Sequence, residues 1–140
     1  MIDKIFSSPT NRILMLGMDA ASMRNEVIAN NMANSDTPRF KRSEVDFESR
    51  LLKALERNPQ PKLLTVTHHK HMQLKTENPL DGFKPEVRVI SDTSFRNDGN
   101  NVDLDVEMAN NTKNDLMYDA INRNMTSEIK KLRLAITGRG

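Results

Sequence analysis

A chain of 140 residues fits one domain or one extended element that depends on neighbours. With 36% apolar residues, 4% aromatic and no Trp, its composition excludes a large self-sufficient core, and nine Met residues supply adaptable rather than rigid apolar contact. The formal charge of +2 comes from interspersed acids and bases, and the basic runs at Arg39, Lys41 and Arg42 and at Lys130, Lys131 and Arg133 scarcely interleave with aromatics, which argues against nucleic-acid binding.

The lack of cysteine excludes a disulfide framework, a thiol nucleophile and a thiolate metal site. Residues 1–12 lack the apolar centre of a secretory signal, Ile13-Leu14-Met15-Leu16 is too short to be one, and no stretch approaches a membrane span. Export, if it occurs, is therefore expected to proceed without a cleaved leader.

The first six residues form a short amphipathic piece with Ile2, Ile5 and Phe6 apolar. Ser8-Pro9 then reads as a helix start, Ser capping and Pro at the first helical position. Ile13, Leu16, Ala20, Met23, Val27, Asn30 and Asn34 follow at alternating steps of three and four, a heptad seam that predicts a helix lying along another helix. The four consecutive apolar residues from Ile13 to Leu16 point to every side, so burial is expected on several sides, as in a polymer whose neighbours wrap the element. Asn30 in the seam is expected to set register.

Thr37-Pro38 stops this helix, because proline lacks a backbone donor and disfavours the α region for its predecessor. Val45, Phe47, Leu51, Leu52 and Leu55 permit a shorter helix over 47–57, ended by Asn58-Pro59-Gln60-Pro61. Beyond it, 63–74 and 86–90 read as weak strands, separated by the turn cluster Asn78-Pro79-Leu80-Asp81-Gly82. The only metal candidate is His68, His69 and His71; a strand would bring His69 and His71 to one face, no carboxylate lies within five residues, and a solvated segment is the reading adopted. No cofactor is expected, and no nucleophile, base and phosphate loop gather at enzyme-like spacing.

After the turn at Asp98-Gly99-Asn100-Asn101, either Asn101 or Asp103 can cap the last helix, with Asp103, Asp105 and Glu107 near its positive end. It is expected to reach about Thr137, roughly 50 Å at 1.5 Å per residue. Its apolar stripe starts at Leu104, Met108, Thr112 and Leu116 and continues through Tyr118, Ile121, Met125, Ile129, Leu132 and Ile136. Lys130, Lys131 and Arg133 complement the dipole at its end, and Gly138 stops it.

Two stretches carry a family resemblance. Ala29-Asn30-Asn31-Met32-Ala33-Asn34-Ser35-Asp36-Thr37-Pro38-Arg39-Phe40-Lys41 resembles the N-terminal signature of the flagellar rod and hook family of axial proteins, close to A-N-N-x-A-N-x-x-T-P-G-Y-K. Arg39 and Phe40 depart from it. Arg39 stands where Gly is usual, removing an easy positive-φ position and predicting a turn that differs in detail. Asp98-Gly99-Asn100-Asn101-Val102-Asp103-Leu104-Asp105, followed by Glu107-Met108, is similar to the motif that opens the C-terminal helix in basal-body rod members of that family. The start Met1-Ile2-Asp3-Lys4 and Val45-Asp46-Phe47 look like the same members.

The resemblance implies a mainly α fold, its long terminal helices paired as a coiled-coil layer around a small irregular, weakly β middle. The expected division is 1–36, 37–100 and 101–140. It implies a structural subunit of the proximal rod, polymerising into a torque-transmitting shaft around an export channel, in the periplasmic part of the basal body. Partners implied are copies of itself, the rod proteins FlgC and FlgF-like subunits, the adapter FliE and the flagellar type III export apparatus. Ile13, Leu16, Met23, Val27, Ile121, Met125, Ile129 and Leu132 are assigned to packing between subunits. Asn30, Asn31, Asn34, Thr37 and Pro38 are assigned to register and the exit turn, and Gly99, Asn101, Val102, Asp103 and Leu104 to the start of the last helix. The competing reading, a soluble helical adapter or chaperone of type III export, gives no reason for both motifs to be present.

Overall fold

The computed structural model describes residues 8–57, 80, 82–91 and 97–138. Among these, α1 (Pro9–Ala33), β1 (Ser43–Asp46), α2 (Glu48–Arg57), β2 (Glu86–Val89) and α3 (Leu104–Thr137) follow in order. Residues 1–6, the 58–61 stop, the 63–74 strand candidate and the His68, His69 and His71 cluster lie outside the described residues.

Local chemistry sets the helix ends. Ser8 Oγ accepts the Asn11 amide at 3.3 Å, with Pro9 at the first helical position where a missing donor costs nothing. At the far end the Asn34 side chain donates to the Asn30 carbonyl at 2.8 Å, beside the Asn34 amide that the same carbonyl accepts at 3.2 Å. For α3 the cap is Asp103 rather than Asn101: its carboxylate accepts the amides of Asp105 and Val106. Gly138 closes α3 at φ 63, in the left-handed region where glycine carries no steric penalty, and its amide returns to the Leu134 carbonyl.

Residues 42–46, which the sequence pattern assigns to no element, contain β1. It pairs antiparallel with β2 in the register Ser43↔Val89 to Asp46↔Glu86. The other side of β1 is held by Asn31, whose Oδ1 accepts the Ser43 amide at 3.0 Å and whose Nδ2 donates to the Ser43 carbonyl at 2.8 Å. A short strand anchored this way needs no wide sheet, and no local propensity signals it.

The small apolar core centres on Ala20, Val45 and Phe47, with Leu16, Met23, Val27, Leu51 and Phe83 around them. Phe47 and Phe83 meet edge to face at 5.9 Å. Within the chain, the seam residues Leu16, Ala20, Met23 and Val27 of α1 therefore pack around Val45, Phe47, Leu51 and Phe83. The helical partner is met by another stripe: Gly17 against Ile121, the Ala21 carbonyl against Asn114, and Asn31 against Glu107. As numbers fall along α1 they rise along α3, so the two helices run antiparallel. Gly17 and Ala21 are too small to register in an apolar period, yet their lack of bulk is what admits α3 so closely.

The predicted stripe of α3 divides accordingly. Ile121, Met125 and Leu132 are half-buried, whereas Leu104, Met108, Thr112, Leu116, Tyr118, Ile129 and Ile136 are exposed, Leu116 at 68% and Ile136 at 75%. The side turned to α1 carries Glu107 and Asn114 in its first half, so the apolar residues there are left outside. No helix among the described residues is long and apolar enough to cross a membrane.

Candidate functional site

The two motifs singled out in the sequence meet in space. After α1 the chain turns through Thr37-Pro38, with the Phe40 amide on the Thr37 carbonyl at 3.3 Å. Arg39 itself adopts φ 62, so the turn keeps a left-handed residue although it lacks glycine there. Its amide donates to the Asp98 carbonyl at 3.0 Å, and Lys41 Nζ donates to the Gly99 carbonyl at 2.9 Å. Gly99 has φ 81, and a Cβ there would lie 3.8 Å from Arg39 Cα, so backbone conformation rather than crowding calls for glycine.

Asn100 plugs the turn. Fully buried, its Nδ2 lies 3.0, 2.9 and 2.9 Å from the carbonyls of Asn34, Ser35 and Thr37, two hydrogens shared among three acceptors. Its Oδ1 accepts the Val102 amide at 2.7 Å. Asn101 works the other way, donating to the Ile90 carbonyl and accepting the Arg42 amide, both at 2.7 Å, so that it bridges the open ends of β1 and β2. One dipeptide thus ties α3 to both the end of α1 and the mouth of the sheet.

One turn further, Glu107 is buried to 1% exposure. Asn31 Nδ2 donates to its Oε2 at 3.2 Å, and Arg42 Nε lies 3.4 Å from its Oε1 as an ion pair outside hydrogen-bonding geometry. A carboxylate in that position is tolerable because one oxygen accepts the Asn31 amide and the other faces the Arg42 guanidinium. Two turns on, Asn114 Nδ2 donates to the Ala21 carbonyl at 2.9 Å. Between α1, β1 and α3 runs a groove of about 360 Å³ that Arg24, Arg42, Glu107, Asn114 and Met117 help to line. Arg24 crosses it to the Val45 carbonyl and to Glu48. That hydrogen bond holds the Glu48 carboxyl below its usual range, against the opposing effect of partial burial.

Of the residues assigned from sequence, Asn31, Asn34, Thr37, Gly99, Asn101, Val102, Asp103 and Leu104 converge on this junction, while Asn30 and Pro38 are exposed. Leu16, Met23 and Val27 border the core, Ile13, Ile121, Met125 and Leu132 are half-buried, and Ile129 is exposed. Asn100 and Glu107 stood in the second motif without a role at the junction, and Arg42, Asn114 and Gly17 were not assigned to it at all. A signal existed for some of them: Glu107, Asn114 and Ile121 recur every seven residues, a seam that counting apolar residues alone passes over. The polar groups are engaged in holding backbone together, which makes the junction a lock between two long helices.

Such a lock, joining two long helices through the motifs at their facing ends, defines a helical structural subunit. The family described as flagella basal body rod protein matches residues 12–41, most of α1 and its exit turn. The chain is 36% identical over 121 residues to the flagellar basal body rod protein FlgB of Borrelia hermsii, covering 85% of this chain and 89% of that one. Against FlgB of Bacillus subtilis it is 30% identical over 131 residues, 94% and 95% of the two chains, and against FlgB of Escherichia coli 29% over 133 residues, 93% of each. The chain belongs to the FlgB family of flagellar basal body rod proteins, a structural family rather than an enzyme family.

Proposed function

We propose that this chain is a proximal-rod subunit whose terminal helices polymerise into the shaft that transmits torque and encloses the export channel. The observation that carries this reading is the polar lock. Asn31, Asn100, Glu107 and Asn114 hold α1 and α3 together, and the apolar residues freed from that task, among them Met108, Leu116, Ile129 and Ile136, stand exposed. Exposed apolar groups along a helix about 51 Å long are what neighbouring subunits bury in an axial assembly.

In this reading, residues 1–36 and 101–140 act as axial helices and 37–100 as the outer segment. Ile13, Leu16, Met23, Val27, Ile121, Met125, Ile129 and Leu132 pack between subunits, while Asn30, Asn31, Asn34, Thr37 and Pro38 set register and Gly99, Asn101, Val102, Asp103 and Leu104 start the last helix. FlgC, FlgF-like rod proteins and FliE are its neighbours, and it reaches the periplasmic rod through the type III export apparatus. The test is deletion of the chain followed by imaging of basal bodies. Loss of the rod, restored by the wild-type chain, is the expected result; intact rods in the deletion strain would overturn the proposal.

A further inference from the structure

The two flanks of α3 differ in kind. Glu107, Asn114 and Ile121 mark the line of the helix that faces α1. One step along an α-helix turns about 100°, so residues on either side of that line project to opposite flanks. On one flank Asn110, Lys113 and Met117 line the groove of about 360 Å³, together with Val27, Ile28 and Val45 from α1 and β1. On the other stand Leu104 and Tyr118, 45% and 38% exposed, with Asp115 between them in sequence. Lys113 and Asp115 immediately precede and follow Asn114, and both are exposed and, among the described residues, without an ion-pair partner. One flank is therefore a partly apolar recess with a cation beside it, and the other an aromatic ridge with a carboxylate beside it.

We infer that the ridge of one copy docks in the groove of the next, the two copies parallel and displaced along α3 by about one helical turn. The inference rests on the rod reading, in which subunits point the same way around a common axis. Such neighbours meet by unlike flanks, each copy giving its ridge on one side and receiving a ridge on the other. A heterologous contact of this kind propagates, whereas a contact between like flanks is isologous and closes a pair. Like flanks would also set Lys113 against Lys113 and leave Tyr118 uncovered. With the neighbour displaced by four residues, about 6 Å, toward the start of α3, its Tyr118 comes level with Asn114 beside the groove. Its Asp115 comes level with Asn111, about 3 Å of rise from Lys113 and within that side chain's reach. Tyrosine brings a large, rigid, partly apolar ring to the contact, and the Lys113 and Asp115 pair selects this orientation over the isologous one.

The chain has no cysteine, so the test uses introduced ones. Met117→Cys marks the groove and Asn122→Cys the ridge flank, and the displacement brings position 122 of one copy level with position 118 of the next. Chains carrying one substitution each are co-expressed in place of the wild type, basal bodies are isolated and oxidised, and cross-links are read on gels. The expected product is a 117-to-122 dimer from the mixture and no dimer from either chain alone. Adding Tyr118→Phe to the Asn122→Cys chain is expected to keep that dimer and Tyr118→Asp to abolish it; an undiminished dimer with Tyr118→Asp overturns the docking of the ring. Lys113→Cys with Asp115→Cys is the second pair, expected to give a 113-to-115 dimer, and it decides the matter if the first pair is not incorporated. Predominant 117-to-117, 122-to-122, 113-to-113 or 115-to-115 dimers would show like flanks in contact and overturn the inference. Basal bodies that contain the cysteine chains but give neither mixed dimer overturn the flank contact and leave the rod reading standing. Absence of the wild-type chain from basal bodies overturns both.

Discussion

Asn100 shows what a single amide does at the junction of two helices. Three carbonyls at the end of α1 converge on its Nδ2, and the residue is fully buried. Asn100→Ala removes those bonds and leaves acceptors unsatisfied, at about 1 kcal/mol net per bond. A loss of about 2–3 kcal/mol is therefore expected in urea unfolding of the purified chain, together with faster proteolysis in the exit turn. Asn100→Asp is expected to be worse, since a carboxylate would face three carbonyl oxygens. A second residue-scale prediction concerns acid. Because Arg24 lowers the Glu48 carboxyl in the folded chain, the unfolded chain binds the proton more readily there. The stabilisation is fully present above the ordinary carboxylate range and is lost as pH falls through the lowered value. Glu48→Gln is expected to flatten that part of the stability profile and leave the neutral-pH slope unchanged; Glu48 is half exposed, so solvent screening keeps the effect small.

The pairing of α1 with α3 depends on how little Gly17 occupies. A Cβ there would meet Ile121 Cδ1 at 3.2 Å, so a branched side chain has to push the helices apart. Gly17→Val is expected to destabilise the chain by about 1–3 kcal/mol, and Ile121→Ala in the same chain to recover part of it, as a double-mutant cycle in thermal or urea unfolding would measure. The same contact explains what could be read from sequence. Helix ends were legible because Ser8-Pro9, Thr37-Pro38, Asp103 and Gly138 act on their own backbone within one turn. The face joining the helices was not, because it is made of Gly17, Ala21, Asn31, Glu107 and Asn114, whose value lies in small volume or in a partner tens of residues away. β1 was missed for the same reason, since Asn31 and the distant β2 define it. Both motifs of the junction were visible as strings, but that Asn100 binds the end of α1 is a tertiary fact.

At the scale of the whole molecule, α3 outruns α1 by nine residues, or about 14 Å, and most of its large apolar residues are exposed. The folded chain is thus held by a small core of Ala20, Val45 and Phe47 and by polar ties, while its largest apolar surface is held in reserve for neighbours. Ile129, 52% exposed on α3, separates these two roles cleanly. Burying such a side chain in a contact yields about 1.5–3 kcal/mol, and a carboxylate in its place reverses the sign at every subunit contact it enters. Because its outer surface already faces solvent in the single chain, Ile129→Asp is expected to leave circular dichroism and the unfolding midpoint of the purified protein close to wild type. In cells the same substitution is expected to leave the chain exported yet missing from isolated basal bodies, with motility lost. Wild-type motility in that strain would remove Ile129 from the assembly surface, and a collapse of the purified chain's stability would place it in the fold instead.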